Sequence, residues 1–416
     1  MRSAPATWNG RIFAMAGTAP EVLSDSSPQP QSWVRVGYSN LENDSEALEE
    51  ALKTLNLDNI PRLLIIFAAP RYNLDQLAAR VSEQLPDSAL IGCTTSGEIA
   101  AGSALTQSLV LWALGGSGVR VSTGFGESEG DGQGLRQAAV QAASCLEQLE
   151  RRQHTVMVLL SDGLGGDQME VVRGAYDAAN IDVPLVGGCA GDYLAMRQTR
   201  QLHGRRVMSG AVVAAAISSD RPLGVGVSHG WTPASDPMLV TESRNTLLSS
   251  LDDQPALDVY LNFFNPPQQV RDDPQAFADF AAVHPIGIRR RDRIEMRHIT
   301  GFDPQQRALV MVAEVPQGAL AFLTQGDYAS VLEAAAESAS SAVKALGDAA
   351  PAGLLLFDCV SRRSIFGDQH VQEETDLIAR CCDGAPMAGF YTYGEIARTK
   401  GSGGFHNQTL VTLAIG

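Results

Sequence analysis

Short apolar runs alternate along the chain with stretches of helical spacing. Arg62 to Ala69 is an apolar run between two prolines, which is typical of a buried strand. Tyr72 to Leu85 has the spacing of an amphipathic helix, and Ala89 to Cys93 is apolar again. A segment of this kind, about 30 residues long, predicts one strand–helix–strand unit.

The same alternation occurs twice more. Thr155 to Leu160 and Gly353 to Phe357 predict strands, whereas Gln168 to Asn180 and Glu373 to Cys382 predict helices. Each of these helices leads to another apolar segment and then to glycines. We therefore expect an α/β fold with two related halves of mixed β-sheets flanked by helices. The halves are built from repeated strand–helix–strand units that end in a glycine turn.

The glycine turns repeat in sequence as well as in position. Residues 91–100 (IGCTTSGEIA) return as residues 388–397 (AGFYTYGEIA), with identical residues at six of the ten positions. A shorter relative, GGCAGD, occupies residues 187–192. Repetition of this kind indicates repeated structural units, and the three turns are expected to converge on one cavity.

Two changes in composition indicate domain limits. Residues 1–33 are rich in Ala, Ser, Pro and Gly and predict a loose N-terminal arm. A second boundary is expected at the Gly/Pro/Ser-rich turn formed by residues 228–233. The expected domains are an N-terminal half at residues 34–230 and a C-terminal half at residues 231–416.

Charge and cysteine usage exclude several classes of partner. The net charge of −16 argues against nucleic acid or an anionic membrane as partner, because both attract basic surfaces. We find no apolar stretch near the roughly 20 residues of a membrane helix and no secretory signal. The six cysteines are scattered without a CxxC pair, so we expect free thiols in a cytoplasmic protein.

The polar residues of the glycine turns are the first candidate ligand-binding groups. Glycines allow close approach of a ligand to the backbone. Carboxylates beside them would accept hydrogen bonds from a cationic or amino group, and hydroxyl groups would add neutral bonds. The alternative is that the carboxylates cap helices or bind turn amides. The candidates are Glu98, Glu395 and Asp192, with Thr94, Ser96 and Tyr393.

A second candidate group follows the predicted strand at Gly353 to Phe357. Ligands in α/β folds lie beyond the carboxyl ends of strands, where this sequence has Cys359 and Arg362. The planar guanidinium of Arg362 suits a carboxylate. The alternative is an arginine paired with Asp358 or Glu373.

Several motifs, in order, resemble the FIST domain family. They are CTTSGEI, PLVGGCAGD, HGW before VTES, HPIGI, FDCVSRR and GFYTYGEI, and together they span roughly residues 34–414. The resemblance implies FIST N-terminal and C-terminal halves that form an intracellular ligand-sensing module of bacterial signal transduction. Because the two halves use almost all of the chain, the expected protein is a stand-alone sensor that acts on a separate signalling protein.

One subgroup of the family binds haem, senses nitric oxide and regulates histidine kinases or enzymes of cyclic-di-GMP turnover. By this resemblance haem b is the expected cofactor, and an axial ligand is required. His284 lies in an apolar segment and is the first choice, and His229 of the HGW turn is the second. Cys93 and Cys189 are thiolate alternatives. Each of these side chains also has a structural interpretation, as a packed histidine, a loop histidine or a buried inert thiol.

Three functional hypotheses therefore remain. The first is a small-ligand sensor, either for haem and nitric oxide or for an amino acid or related metabolite. The second is an enzyme that uses the thiol of Cys359, for which the sequence shows no neighbouring base. The third is a scaffold whose pocket is vestigial. The sequence contains no GxSxG or HExxH motif, so the sensor is favoured over an enzyme.

Overall fold

One order of elements recurs in the fold: strand, helix, strand, helix, strand, a two-stranded hairpin and a closing strand. The computed structural model describes residues 31–128, 132–179, 182–290, 293–399 and 404–416. Most of the expected arm at residues 1–33 therefore lies outside the described residues. Unit 1 consists of β1 (Trp33–Ser39), α1 (Asp44–Leu55), β2 (Leu63–Ala68), α2 (Leu74–Gln84), β3 (Ala89–Thr94), β4 (Glu98–Ala100), β5 (Ser103–Leu105) and β6 (Leu109–Gly115).

Unit 2 follows the same order. It consists of β7 (Val119–Glu127), α3 (Gly132–Ala143), a 3₁₀ turn (Ser144–Gln148), β8 (His154–Ser161), α4 (Gln168–Ala179), β9 (Leu185–Cys189), β10 (Gln201–His203), β11 (Arg206–Met208) and β12 (Ala211–Ser219).

Unit 3 begins with β13 (Leu223–Ser228) and is then interrupted by residues 232–325, which we call the inserted region. The inserted region folds mainly as a sheet with three helices against it. Its elements are β14 (Thr232–Pro233), β15 (Met238–Arg244), β16 (Leu247–Leu251), β17 (Gln254–Pro255), α5 (Ala256–Phe264), α6 (Gln268–Asp272), α7 (Pro274–Ala282), β18 (Ile286–Arg290), β19 (Arg293–Arg297), β20 (Ile299–Asp303), β21 (Ala308–Met311) and β22 (Leu320–Gln325).

Unit 3 then resumes in the usual order. Its remaining elements are α8 (Tyr328–Lys344), β23 (Gly353–Cys359), α9 (Val360–Cys381), β24 (Met387–Thr392), β25 (Glu395–Arg398), β26 (Phe405–His406) and β27 (Leu410–Ile415). Helix α9 is broken at Gly367, whose φ of 62° is not helical.

Each unit forms a mixed sheet that is completed by a hairpin from another unit. The sheets have the orders β1-β6-β2-β3-β10-β11, β7-β12-β8-β9-β25-β26 and β13-β27-β23-β24-β4-β5. The hairpin of unit 1 thus joins the sheet of unit 3, that of unit 2 joins unit 1, and that of unit 3 joins unit 2. Only the pairs β2–β3, β8–β9 and β23–β24 are parallel within these sheets. This exchange closes the three units into a ring.

The core has one inner and several outer parts. The inner faces of the three sheets pack on one another, with Ile65, Val158 and Phe357 in the same buried cluster. The Phe67 and Phe390 rings, from units 1 and 3, lie 4.9 Å apart. The helices of each unit cover its outer face in a separate cluster, and the inserted region has its own core. In the described residues, no helix is long and apolar enough to cross a membrane.

The predicted fold class is confirmed, because mixed sheets flanked by helices carry the repeated glycine turns. The structure differs from the prediction in having three related units rather than two related halves. The sheets also cross the boundary expected at residue 230: β13 pairs with β27, and β4 pairs with β24.

The repeated glycines at 92 and 389 follow from strand packing. A Cβ on Gly92 would lie 2.5 Å from the Ile66 carbonyl oxygen, and one on Gly389 would lie 2.0 Å from that of Leu356. Both contacts are closer than a side chain can tolerate, so only glycine fits in these strands.

Candidate functional site

The three glycine turns meet one another through backbone hydrogen bonds. The Gly191 N–H donates to the Thr94 carbonyl (3.0 Å), and the Ser96 N–H donates to the Tyr391 carbonyl (3.1 Å). The Cys189 N–H donates to the Gly394 carbonyl (2.8 Å). We call this contact, formed by residues 93–98, 187–193 and 390–395, the central junction. The three turns therefore converge through direct contact between their backbones, whereas the prediction was that they converge on one cavity.

Glu98 is enclosed by donors of its own unit and of the neighbouring one. Its Oε2 accepts the backbone N–H (2.9 Å) and the hydroxyl (2.6 Å) of Ser108, and the Tyr193 hydroxyl at 3.1 Å. Its Oε1 accepts the Thr95 hydroxyl. Burial raises the pKa of Glu98, because a desolvated carboxylate loses the stabilisation of water.

Glu395 occupies the equivalent place in unit 3. The Thr392 hydroxyl donates to its Oε1 at 2.5 Å, and the Thr409 N–H donates to its Oε2 at 3.2 Å. Burial raises its pKa well above the usual range. Both glutamates are fully buried. Their expected role as acceptors for a ligand amine is not supported by these contacts, because the fold itself supplies their donors.

The third equivalent place belongs to Gln201 and not to Asp192. The Ala211 N–H donates to Gln201 Oε1 at 3.2 Å, at the start of the closing strand of unit 2. Asp192 instead accepts the backbone N–H groups of residues 196, 197 and 198 at 2.7–3.0 Å. Burial alone would raise the pKa of Asp192, but the Tyr393 hydroxyl and these amides lower it. The sequence could not assign Gln201, which follows the motif by nine residues.

The hydroxyl groups expected at the ligand also bind within the central junction. Thr94 Oγ1 accepts the Arg200 N–H at 3.0 Å, and Ser96 Oγ accepts the Tyr193 N–H at 3.0 Å. The Tyr393 hydroxyl donates to Asp192 and accepts the Leu194 N–H at 2.7 Å. The junction therefore brings most of the predicted residues together and uses their polar groups internally.

The three candidate cysteines are buried thiols. Burial raises the pKa of Cys93 and Cys359 well above the ordinary value, and raises that of Cys189 to about 12. The Ser161 hydroxyl donates to Cys189 Sγ at 3.3 Å. A protonated, buried thiol is a poor nucleophile and a poor metal ligand, so the contacts do not support either role.

Arg362 is fully buried in an ionic network. It donates to Asp358 Oδ1 (2.7 Å) and to Glu374, and to the carbonyl oxygens of His229 (3.3 Å) and Val331 (3.1 Å). Burial alone would lower the pKa of Arg362, but the two carboxylates raise it. The alternative interpretation, pairing with Asp358, is therefore the one observed. The second partner is Glu374 and not Glu373.

His229 has both ring nitrogens engaged. Its Nδ1 accepts the Trp231 N–H at 3.1 Å, and its Nε2 contacts the Ile294 carbonyl at 3.2 Å. Since a carbonyl only accepts, Nε2 carries the proton and no nitrogen is left for iron. His284 differs: Nδ1 donates to the Phe280 carbonyl at 2.8 Å, and Nε2 makes no hydrogen bond in the part of the chain that the structure describes. Burial lowers the pKa of both histidines.

A crevice of about 710 Å³ opens between unit 3 and the inserted region. Its walls come from the end of β13, the HGW turn, β19, the first turns of α8, and β26. The lining residues include Val227, Ser228, His229, Trp231, Arg293, Ser330, Glu333, Glu337 and His406. Thr232 and Ser330 also line a neighbouring cavity of about 390 Å³, which includes His284 and Asp327.

The crevice contains a buried donor without a partner. Trp231 is only 3% exposed, and its indole N–H makes no hydrogen bond in the structure. A buried, unpaired N–H costs roughly 1–3 kcal/mol, and the indole N–H of Trp33 in β1 is buried without a partner in the same way. The HGW motif is visible in the sequence, but the residue types alone draw attention to its histidine and not to its tryptophan.

The crevice also carries charges of both signs. Arg293 lies on the wall of the inserted region, 3.2 Å from Glu295. Glu333 and Glu337 lie exposed on the α8 wall, where Glu337 accepts the Ser228 hydroxyl at 2.6 Å. Burial lowers the pKa of His406 to about 4, so this residue is neutral at pH 7. These side chains can bind a molecule that has both an anionic and a cationic group.

Comparison with known proteins agrees with this architecture. The FIST N domain model matches residues 62–254, and the FIST C domain model matches residues 256–398. Two uncharacterised proteins of Mycobacterium tuberculosis, from strains CDC 1551 / Oshkosh and ATCC 25618 / H37Rv, are each 25% identical over 362 residues. The alignment covers 83% of this chain and 89% of each relative.

A solved structure, PurLQS from Thermotoga maritima, aligns over 92% of this chain and 72% of its own, with 9% identity and a TM-score of 0.20. That score is too low to support any conclusion about the fold. The two domain models, in contrast, match consecutive segments that together make up most of the sequence. The chain therefore belongs to the FIST family.

Proposed function

We propose that this protein is a sensor in bacterial signal transduction that binds a small ligand in the crevice between unit 3 and the inserted region. The observation that carries the proposal is the crevice itself, a cavity of about 710 Å³ that Arg293 lines on one wall and Glu333 and Glu337 line on another. Trp231, whose buried indole N–H has no acceptor among the described residues, lies at the same cavity. Cavities of roughly 300–1,000 Å³ with a few polar groups are typical of ligand sites.

The charges of the crevice favour a ligand of the amino-acid class, with one carboxylate and one amine. Arg293 would bind the carboxylate, and Glu333 or Glu337 would bind the amine. From the sequence, these two functions are expected of Arg362 and of Glu98 and Glu395. All three are buried and paired within the protein, so the proposal assigns the functions to the crevice instead.

Signal output would follow from the position of the crevice. A ligand that touches both walls stabilises one arrangement of the inserted region relative to unit 3, and that shift changes the surface offered to a partner. The partner is a separate signalling protein such as a histidine kinase or an enzyme of cyclic-di-GMP turnover. The HGW turn, which lines the crevice, also contacts α9, because Arg362 donates a hydrogen bond to the His229 carbonyl.

Haem is the alternative ligand, and the residues fit it only in part. His284 has the protonation that an axial ligand needs, because Nδ1–H donates to a carbonyl and leaves Nε2 as acceptor. The cavity beside it is lined by Thr232, Gln325, Gly326, Asp327 and Ser330. That lining is polar and carries a carboxylate, whereas a porphyrin needs an apolar slot. The cavity does not fit haem, so we place the amino-acid class first.

A thermal-shift screen of amino acids and related metabolites tests the proposal. A ligand at 100 times its Kd stabilises the folded protein by about 2.7 kcal/mol, so Tm should rise. Trp231→Phe should reduce the shift, because it removes the N–H and keeps an aromatic ring. Trp33→Phe is the matched control, since its indole N–H is also buried without a partner but lies in β1.

Two results would contradict the proposal. One is a ligand whose shift is unchanged in Trp231→Phe. The other is a saturable one-to-one Soret band on haemin titration that disappears in His284→Ala, which would favour the haem alternative. The thiol-dependent enzyme would require activity that is lost on alkylation of Cys359, whose thiol is buried and has a raised pKa.

A further inference from the structure

The crevice lies beside an open sheet edge. Strand β13 pairs with β27 on one side, and no strand of the described residues pairs with its other side. Its last residues, Val227 and Ser228, line the crevice. An edge strand presents unpaired N–H and C=O groups, which are a template for another extended chain.

The opposite wall also ends in an edge strand, but that edge is partly used. Strand β19 pairs only with β18 among the described strands. The carbonyl of Ile294 in β19 contacts the ring Nε2 of His229 at 3.2 Å. The open edge is therefore that of β13.

Helix α8 leaves this edge free because it covers a face of β13. A Cβ on Gly226 would lie 1.8 Å from the Ser338 carbonyl oxygen, and one on Gly224 would lie 2.0 Å from that of Ala342. These glycines let α8 lie directly on the strand. The helix thus forms one wall of the crevice, where Glu333 and Glu337 lie and where Glu337 accepts the hydroxyl of Ser228, the last residue of β13.

We propose that the ligand of the crevice is a short peptide that binds in extended form along the edge of β13. This inference rests on the proposed function, because it names the occupant of the same cavity. A cube of about 710 Å³ has an edge of roughly 9 Å, which holds about three residues at ~3.3 Å each. Backbone pairing with β13 would supply affinity in the manner of β-strand addition.

The remaining groups of the crevice suit the ends and the middle of such a peptide. Arg293 binds the C-terminal carboxylate, and the carboxylates of α8 bind the N-terminal ammonium. The Trp231 indole donates its unpaired N–H to a peptide carbonyl. A free amino acid has the two charges but no peptide N–H to pair with the strand, so it uses only part of the site.

The test compares two sets of ligands. One is an equimolar library of tripeptides with free termini, and the other is a mixture of free amino acids in the same proportions. The purified full-length protein is used in a thermal-shift assay at matched concentrations. The tripeptides should raise Tm, and the amino acids should raise it less or leave it unchanged. The best tripeptide is then resynthesised with a methyl group on the peptide nitrogen of its middle residue, which removes one backbone donor. Calorimetric titration should show at least tenfold weaker binding of the methylated peptide.

Two variants locate the peptide. Arg293→Gln should weaken tripeptide binding severalfold, whereas Arg289→Gln should not. Arg289 is the matched control because it lies in the adjacent strand, with its guanidinium 5.2 Å from the Phe322 ring, and does not line the crevice.

Three outcomes overturn the peptide inference: equal shifts from amino acids and tripeptides, no shift from tripeptides, or equal affinity of the methylated peptide. The first leaves the proposed function in place, because a ligand of the amino-acid class still binds. In the second case the proposed function is judged separately by the metabolite screen and by Trp231→Phe.

Discussion

The central junction and the crevice differ in how their polar groups are used. At the junction Glu98 accepts hydrogen bonds from four donor groups of the protein: the hydroxyl groups of Thr95, Ser108 and Tyr193 and the Ser108 N–H. In the crevice the Trp231 indole N–H has no partner and charged side chains line open space. The repeated motif therefore stabilises the contact between units, whereas the groups available to a ligand lie where the third unit is interrupted. Repetition in this sequence indicates packing more directly than binding.

The largest effect on stability is expected at Arg362, which connects the HGW turn of the crevice to α9. Arg362→Met leaves Asp358 and Glu374 buried without their counter-charge. Breaking a buried ionic network by removing one partner costs about 3–5 kcal/mol. Urea denaturation should show that loss in the free energy of unfolding. Arg380→Met, at an exposed position of the same helix, is the control, and a similar small effect of both would contradict the assignment.

The glutamates of the junction should affect stability and not binding. Glu395→Ala leaves the Thr392 hydroxyl and the Thr409 N–H without an acceptor, at a cost of about 2–3 kcal/mol. Glu395→Gln should cost less than about 1 kcal/mol, because Gln201 fills the equivalent place in unit 2. Chemical denaturation and ligand titration check both statements. If Glu395→Gln is folded but no longer binds the ligand, the prediction is contradicted and the central junction is a ligand site.

His406, which lines the crevice, should make the stability of the protein depend on pH. Burial lowers the pKa of His406 to about 4, so the unfolded chain takes up a proton near pH 6.5 that the folded protein does not. Stability should therefore fall as pH decreases from 6.5 to 4. Between pH 7 and pH 4.5, the free energy of unfolding of His406→Gln should fall by roughly 2 kcal/mol less than that of the parent protein.

The parent protein and the His406→Gln variant share the buried glutamates, whose raised pKa values act in the opposite direction. Their contribution cancels in the difference. Identical pH profiles of the two proteins, measured by urea denaturation, would show that His406 is solvated.

The smallest effect is expected at Trp231 in the absence of ligand. Trp231→Phe removes a buried unpaired donor, which costs the folded protein about 1–3 kcal/mol, but it also removes packed side-chain volume at a cost of similar size. The two effects offset each other, so the free energy of unfolding should change little. Ligand affinity should fall about tenfold, which is about 1.4 kcal/mol, because the ligand loses one hydrogen bond. Calorimetry on the variant and on Trp33→Phe separates the two effects. Loss of stability without loss of affinity would mean that the indole is only a packing group.

Local sequence patterns predicted the strands and helices well where the pattern was continuous. The run Arg62 to Ala69 is β2 (Leu63–Ala68), and the helix predicted from Gln168 to Asn180 is α4 (Gln168–Ala179). The start of α9 was missed by 13 residues because Gly367 breaks the helical pattern. Such boundaries depend on tertiary packing, which overrides local propensity.

The ring of exchanged hairpins could not be predicted from local patterns. The motif residues Glu98 and Glu395 were identified as turn residues, yet both begin strands that join the sheet of another unit. Pairing over such distances in sequence leaves no periodic signal. Trp231 was equally hidden, because its significance lies in the missing partner of one nitrogen and not in the residue type.

The central claim is that the ligand binds in the crevice and not at the central junction. Hydrogen–deuterium exchange, measured with and without the ligand from the thermal-shift screen, tests it most directly. Binding in the crevice should slow exchange in residues 224–234 and 328–338, which form the β13 edge, the HGW turn and the start of α8. Slower exchange confined to residues 93–99 and 390–396 would contradict it.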